Sequence, residues 1–397
     1  MKALLIGESW GINERQGQYF VGRSGQELAR MGGESGLFPP FLVECKFCHK
    51  SVPFAHCSNC KQFNGVNLLQ MVKFWAQTRN YGVGITNVFH EHPYKDNEQL
   101  FFGGRLDDVC LDLPAFQAGN KKLYLLKSNR FHLEALEEEI ASLQPNILIP
   151  LGNTACWAVL QQTGIKKLRG ILTPTRFGIK AVPTFHPAAL RDWSLRSDII
   201  SDLRKAFQES KTSTIIRPKA WILTNPTLDE IQSWFAIPAN RLSCDIESGT
   251  VLFSKSETTR MKKISPKAFN ILARLISMVG FGRSESQGLV IPFVKRREDN
   301  GTLESYWPNK WQEVRAWEWV QHGLSSGAEL ITQNGMYDYN RLLCSGMRPR
   351  NMKHDTMLGW HDRMPEKLKG LGYLDSILRN DSSWKTAYGN ESLKRDD

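Results

Sequence analysis

The chain has 397 residues, of which 51 are Lys or Arg and 40 are Asp or Glu, giving a formal net charge of +11. That length exceeds one ordinary domain and predicts two or three, each with its own core, while the charge suits a polyanionic partner held through phosphate contacts but also fits a merely basic soluble protein. No uninterrupted apolar stretch reaches the roughly 18 residues that a membrane span needs, and the apolar opening of residues 1–7 is too short for a secretory signal, so the expectation is a cytoplasmic protein without a membrane partner.

Residues 2–7 form a short apolar run ending in Gly7 and read as a first strand. Behind it come Gly7-Glu8-Ser9-Trp10-Gly11-Ile12-Asn13-Glu14 and Gln18-Tyr19-Phe20-Val21-Gly22-Arg23-Ser24-Gly25. Glycines, carboxylates and an aromatic directly after a strand make a loop that can approach a ligand closely.

The eight cysteines do not read as a secreted disulfide framework, because four are scattered (Cys110, Cys156, Cys244, Cys344) and four are clustered. Cys45, Cys48, Cys57 and Cys60 follow C-x2-C-x8-C-x2-C. Each two-residue spacer makes a tight turn that wraps one side of an ion. Four thiolates suit tetrahedral zinc and leave no position for water, so the predicted Zn²⁺ is structural and residues 44–62 are predicted to form a zinc knuckle. An iron–sulfur cluster is the competing use of four thiolates. His49 and His56 read as bystanders, and Lys46, Lys50 and Lys61 among Phe47, Phe54 and Phe63 either touch DNA or pack the small module.

Further on, Ile85-Thr86-Asn87-Val88 ends a second apolar run, and residues 132–143 read as a helix. Residues 147–152 repeat the strand-then-glycine pattern. A third run at 179–184 meets His186-Pro187, residues 197–207 read as an amphipathic helix, and the Ser/Thr/Lys-rich stretch at 211–219 reads as a linker. This alternation predicts an α/β fold with a parallel sheet.

Four of these stretches, in order, resemble the uracil-DNA glycosylase superfamily, nearest its family 4. The first loop is similar to GEAPGxxE followed by G-x-PFVGxxG, Ile85-Thr86-Asn87-Val88 to the ITNV strand end, Pro145-Asn146-Ile147-Leu148-Ile149-Pro150-Leu151-Gly152 to a P-x-hydrophobic-LG strand, and Thr184-Phe185-His186-Pro187-Ala188-Ala189-Leu190-Arg191 to the HPA loop. The resemblance covers residues 1–210 and implies a three-layer α/β/α domain acting on DNA. It implies that Phe20 stacks on an extruded base, Asn87 reads its amide edge, His186 donates to the carbonyl that gathers charge as the glycosidic bond breaks, Glu8 lines the first loop, and Glu14 sits near the attacking water. Trp10 replaces the family's proline, which reshapes that loop. Glu91 stands where a family 4 cluster cysteine belongs, so no iron–sulfur cluster is expected.

In residues 220–397 strands are predicted at 220–224, 242–246, 288–294 and 328–333, with helices at 266–278 and 312–323, a second α/β domain ending in a polar tail. Ser243-Cys244-Asp245-Ile246-Glu247 puts two carboxylates on one face of a strand, a geometry that can grip a divalent metal. Downstream, Asn334-Gly335-Met336-Tyr337-Asp338 supplies another, one helical turn after an asparagine.

These resemble the D-x-E and N-x2-(F/Y)-D motifs of the 3′-5′ exonuclease domains attached to family A DNA polymerases, and His354-Asp355-Thr356-Met357-Leu358 and Lys367-Leu368-Lys369-Gly370-Leu371 extend the likeness. It implies a ribonuclease H-like fold in which Asp245, Glu247 and Asp338 hold Mg²⁺ or Mn²⁺. The family's fourth carboxylate lies in a Y-x3-D motif; Asp396 and Asp397 lack the tyrosine, so the domain reads as incomplete at its C-terminus.

The leading expectation is a repair or replication protein of phage type that removes uracil from DNA, with a DNA polymerase as a partner. The alternative is a non-catalytic DNA-binding adaptor, or the front portion of a polymerase. Phe20, Asn87 and His186 favour the enzyme; Trp10 and the missing fourth carboxylate favour the adaptor.

Overall fold

Ala3 and Leu5 alternate with Leu4 and Ile6 along the first strand, and all four are fully buried, so both faces of this strand are covered. The computed structural model describes residues 2–9, 18–40, 42–44, 48, 51–53, 55–56, 63–64, 68–93, 101–118, 121–216 and 220–379. The chain divides into two units: Met1–Ile216 with Leu374–Asn390, and Arg217–Tyr373 with Glu391–Asp397. Among the described residues no helix is long and apolar enough to cross a membrane.

The first unit is built on a five-stranded sheet in the order Thr173–Pro174, Lys180–Ala181, Ile147–Pro150, Ala3–Ser9, Val83–Phe89. All neighbours run parallel except the antiparallel edge pair Thr173–Pro174 and Lys180–Ala181. One face, carrying Ala3, Leu5, Val83, Ile85, Ile147 and Ile149, packs on helices Arg23–Ser35, Leu68–Thr78 and Arg196–Glu209 through Leu28, Met31, Phe74, Trp75, Ile199 and Leu203. The other, carrying Leu4, Ile6 and Leu148, packs on helices Arg130–Leu143 and Gly152–Leu160 through Leu133, Leu136, Ile140, Trp157 and Val159. Helices on both faces of a mostly parallel sheet make a three-layer α/β architecture.

Strand Lys180–Ala181, second from the sheet edge, shows how burial is balanced. Lys180 is 1% exposed, and its Nζ donates to Glu209 Oε2 at 2.8 Å, Thr212 Oγ1 at 3.0 Å and the Thr214 carbonyl at 2.9 Å. All three ammonium donors are satisfied, and the Ser/Thr-rich stretch after helix Arg196–Glu209 supplies two of the acceptors.

Two short hairpins follow helix Arg23–Ser35: Leu42–Glu44 pairs with Ser51–Pro53, and Ala55–His56 with Phe63–Asn64. In sequence, Cys45 and Cys48 fall between the strands of the first hairpin and Cys57 and Cys60 between those of the second. Cys48 is half-buried; Cys45, Cys57 and Cys60 lie outside the described residues.

The second unit holds a six-stranded sheet in the order Trp221–Leu223, Gln287–Pro292, Ile276–Ser284, Arg241–Ser248, Glu329–Thr332, Met352–Asp355. Arg241–Ser248, Ile276–Ser284 and Gln287–Pro292 form an antiparallel meander, and Glu329–Thr332 and Met352–Asp355 add on in parallel. Leu242, Cys244 and Ile246 point into a core completed by Ile231, Ala316, Val320 and Leu324.

The expected helix at 266–278 needs correction: the helix is Pro266–Arg274, and Ile276 to Met278 open the strand Ile276–Ser284. From Ile271 to Val279 only Arg274 and Ser277 interrupt the apolar residues and no Gly or Pro marks a break, so periodicity alone does not show where helix becomes strand. Gly280 and Gly282 further hide the strand.

Candidate functional site

In the first unit the sheet order reverses at Ala3–Ser9, which lies between Val83–Phe89 and Ile147–Pro150. The chain leaves Ala3–Ser9 toward Val83–Phe89 on one side and leaves Ile147–Pro150 toward Lys180–Ala181 on the other, and at the carboxyl ends of two neighbouring strands left in opposite directions an open α/β sheet forms a ligand crevice. Glu8, Asn87 and the Leu151–Gly152 turn all stand at those ends.

Gly7 pairs with Asn87 across the sheet. A Cβ on Gly7 would lie 2.0 Å from Asn87 Oδ1 and 2.5 Å from the Phe20 ring. The absent side chain is therefore what lets the amide and the aromatic ring meet over the strand end.

Phe20 is held there against its own backbone preference, with φ of 54°, a region that costs a non-glycine residue energy and persists only when neighbours impose it. Two neighbours do so. Trp75 Nε1 donates to the Phe20 carbonyl at 3.0 Å, and Gly25 leaves room for that carbonyl, which would be 1.6 Å from a Cβ.

His186 approaches from the segment that follows strand Lys180–Ala181, its ring 5.7 Å from the Phe20 ring, centroid to centroid. It caps the short helix Pro187–Arg191. Its Nδ1 accepts from the Ala188 N–H at 3.3 Å, so the neutral ring carries its proton on Nε2 and presents a donor there.

Glu8 and His186 converge over Gly152, whose φ of +87° requires glycine; a Cβ there would be 2.5 Å from Glu8 Oε1 and 3.1 Å from His186 Cβ. Gly152 is the first residue of helix Gly152–Leu160. Burial, with Glu8 next in importance, pushes the Cys156 thiol on that helix well above its usual range, which leaves it inert.

The crevice thus gathers an aromatic ring, a side-chain amide, an imidazole donor and a carboxylate around two glycines. Glu14 lies outside the described residues. Residues 1–209 match the family model described as the uracil DNA glycosylase superfamily, more than half of the chain. The chain belongs to the uracil DNA glycosylase superfamily. No curated protein matches it at a significant level. Membership makes DNA the substrate class of this glycosylase-like unit.

The second unit of this superfamily member brings three of the expected acidic residues near one another. Asp245 and Glu247 lie on the exposed face of strand Arg241–Ser248, opposite the buried Leu242, Cys244 and Ile246. Asp338, on helix Gly335–Cys344, is 3% exposed. Burial first, then the charges of Asp245, Glu247 and Asp355, push its carboxyl up to about 7, and its Oδ2 has no hydrogen-bond partner. Among the described residues no three His, Cys, Asp or Glu side chains form a ready metal-holding group.

Asp355 plays another part. Its carboxylate accepts from the N–H groups of Asn334 (3.2 Å), Gly335 (2.7 Å), Met357 (2.8 Å) and Leu358 (3.2 Å). One side chain thereby ties together the starts of helices Gly335–Cys344 and Thr356–Arg363 and aims the turn that carries Asp338.

A pH effect follows. Asp338 titrates near 7 folded and near 3.8 unfolded, so the folded state binds the extra proton between those values, and its stabilising effect is complete below about 4 and lost as pH rises through 7. Glu257 and Glu329 are held down to about 2, chiefly by hydrogen bonds from Arg296 and His354 respectively, and act in the opposite sense below about 4.5. The melting transition of the second unit is expected to fall by a few degrees between pH 5.5 and 8, and Asp338→Asn to flatten that slope and raise the pH 8 midpoint, as read by thermal melts of the full chain.

Proposed function

We propose that the first unit hydrolyses the N-glycosidic bond of a uracil turned out of DNA into the crevice above Gly7 and Gly152. The convergence of Phe20, Asn87, His186 and Glu8 on those two glycines carries this reading. Phe20, locked by Trp75, offers a ring face for the base to stack on. Asn87, fully buried, offers one donor and one acceptor from a single amide, the complement of a uracil edge. The Nε2–H of a neutral His186 would donate to the base carbonyl that gathers negative charge as the bond to the sugar breaks. Glu8, and Glu14 six positions further along the sequence, are acids able to order or activate the attacking water. No metal is needed in any of these roles.

Two further assignments belong to the same reading. A Zn²⁺ held by Cys45, Cys48, Cys57 and Cys60 would brace the two hairpins; the strands of each flank one Cys pair, which suits a knuckle, and the ion would supply structure alone. Resemblance to family 4 without its iron–sulfur cluster is supported by Glu91, which faces the buried His132 Nε2 at 3.3 Å instead of offering a thiolate.

For the second unit the reading is a ribonuclease H-like, 3′-5′-exonuclease-like domain. Support comes from the carboxylates of Asp245 and Glu247 on one strand face and from Asp338, whose raised pKa marks a concentration of negative charge. Such a set fits Mg²⁺ or Mn²⁺, which when bound supplies hydroxide and stabilises the leaving oxygen. The protein's own share is to hold three acids at the strand end, with Asp355 steadying the helix of the third.

The test is incubation of the full chain with end-labelled DNA bearing one uracil, in EDTA and in Mn²⁺, followed by alkali and a gel. Alkali-dependent cleavage at the uracil in EDTA is expected, with added 3′ laddering in Mn²⁺. DNA bound but intact under both conditions would replace the enzyme reading with the adaptor.

A further inference from the structure

Helix Arg196–Glu209 buries Ile199, Leu203 and Ala206 against the sheet, but the same face carries Asp202 and Lys205. Asp202 is 0% exposed and Lys205 and Arg169 are 3% exposed. Taking three charged groups out of water is costly, and apolar residues of similar volume would pack there without that cost. The arrangement therefore calls for an account of what the charges hold in place.

Asp202 receives Thr184 Oγ1 at 2.7 Å and Arg169 Nε at 3.0 Å, and Arg169 Nη2 closes a bidentate pair on it. Lys205 Nζ donates to the Gly170 carbonyl at 2.6 Å and the Ser376 carbonyl at 2.8 Å, while Arg169 Nη1 reaches Ser376 Oγ at 3.2 Å. Gly170 in turn donates its N–H to the Pro183 carbonyl at 2.9 Å. The cluster thus grips Pro183 and Thr184 from two directions.

Thr184 is the junction to the crevice. Its N–H donates to the Pro150 carbonyl at 3.0 Å and its carbonyl accepts from the Gly152 N–H at 2.9 Å. Gly152 is the floor over which Glu8 and His186 meet, and His186 is two residues beyond Thr184. One hydroxyl therefore ties the buried cluster to both the imidazole and the glycine turn beneath it.

We propose that Asp202 is a positioning residue for base excision: through Thr184 it fixes the His186 loop relative to the Gly152 turn. This rests on the reading that His186 acts on the extruded base. Asp202 touches no substrate; it sets the place of the group that does. A displacement of about 1 Å in such a group is enough to cost a large part of the rate.

Three variants test it in the full chain: Thr184→Val removes the hydroxyl at nearly constant shape, Thr184→Ser keeps it, and Asp202→Asn weakens the cluster's charge. Single-turnover uracil release is expected to fall at least about tenfold in Thr184→Val and Asp202→Asn, with uracil-DNA affinity within about twofold, at a temperature where circular dichroism shows every variant folded. Thr184→Ser is expected to restore most of the rate. A merely structural cluster would lower the melting temperature and leave the rate of the folded protein unchanged, which would overturn the proposal. A second readout does not depend on excision. The His186 ring resonances, assigned by their loss in His186→Ala, are expected to shift or broaden in Thr184→Val and Asp202→Asn and to stay in place in Thr184→Ser. Unmoved resonances in both of the first two variants would overturn the proposal even if the wild type releases no uracil; moved resonances with an inactive wild type would uphold the positioning and remove the excision reading.

Discussion

His186→Ala is expected to lower single-turnover release of uracil by about 10²–10³-fold, the usual consequence of deleting a donor aimed at developing negative charge. The ring follows strand Lys180–Ala181, with Nδ1 accepting from the Ala188 N–H and the proton of the neutral ring on Nε2, so its removal takes away that donor and the Ala188 bond but leaves the Ala189 N–H bond to the His186 carbonyl standing. Binding of uracil-containing DNA is expected to change little, because phosphate contacts supply most of the affinity. His186→Gln, which can still donate, is expected to keep more activity than alanine. A full rate in His186→Ala would remove this residue from the chemistry.

Gly7→Ala is the second large effect. The added methyl would lie 2.0 Å from Asn87 Oδ1 and 2.5 Å from Phe20, so at least one of the two must move. Asn87 is fully buried and Phe20 is pinned at its carbonyl by Trp75, which leaves the crevice no cheap way to yield. The expected cost in stability is that of overpacking, about 1–3 kcal/mol. The cost in excision is expected to be about 100-fold, because the ring and the amide proposed to stack on and read the base lose their shared position. Comparing the release rate at saturating DNA with the melting temperature separates the two.

Much of the first unit was legible in the sequence because its signals are local. Short apolar runs that end in Gly7 and Gly152 announce strands whose ends are approached closely by other groups, and Asn87 and His186 lie at the ends of similar runs. Phe20 was legible as a candidate, but its left-handed backbone was not; that depends on Trp75, 55 residues away, and on Gly25. Glu14 and three of the cluster cysteines fall outside the described residues.

Asp202 was hidden for a different reason. A charged residue within an amphipathic helix reads as part of its wet face, and only the position of Ile199, Leu203 and Ala206 on the same side betrays a buried acid. In the second unit, alternation along Arg241–Ser248 marked Asp245 and Glu247 as neighbours on one face. The role of Asp355 as a cap for two helices was not legible, since four backbone donors from separate turns meet on it only in the folded chain. The strand Ile276–Ser284 was not legible because helix and strand share one mostly apolar stretch with no Gly or Pro at the junction.

The most direct test of the central claim is chromatographic detection of free uracil base released from uracil-containing single-stranded DNA by the full chain in EDTA, run beside His186→Ala. The account predicts a stoichiometric burst of free uracil from the wild type and a rate lower by about 10²–10³-fold in the variant. Equal release by both proteins, or none from a wild type that binds the DNA, would contradict it.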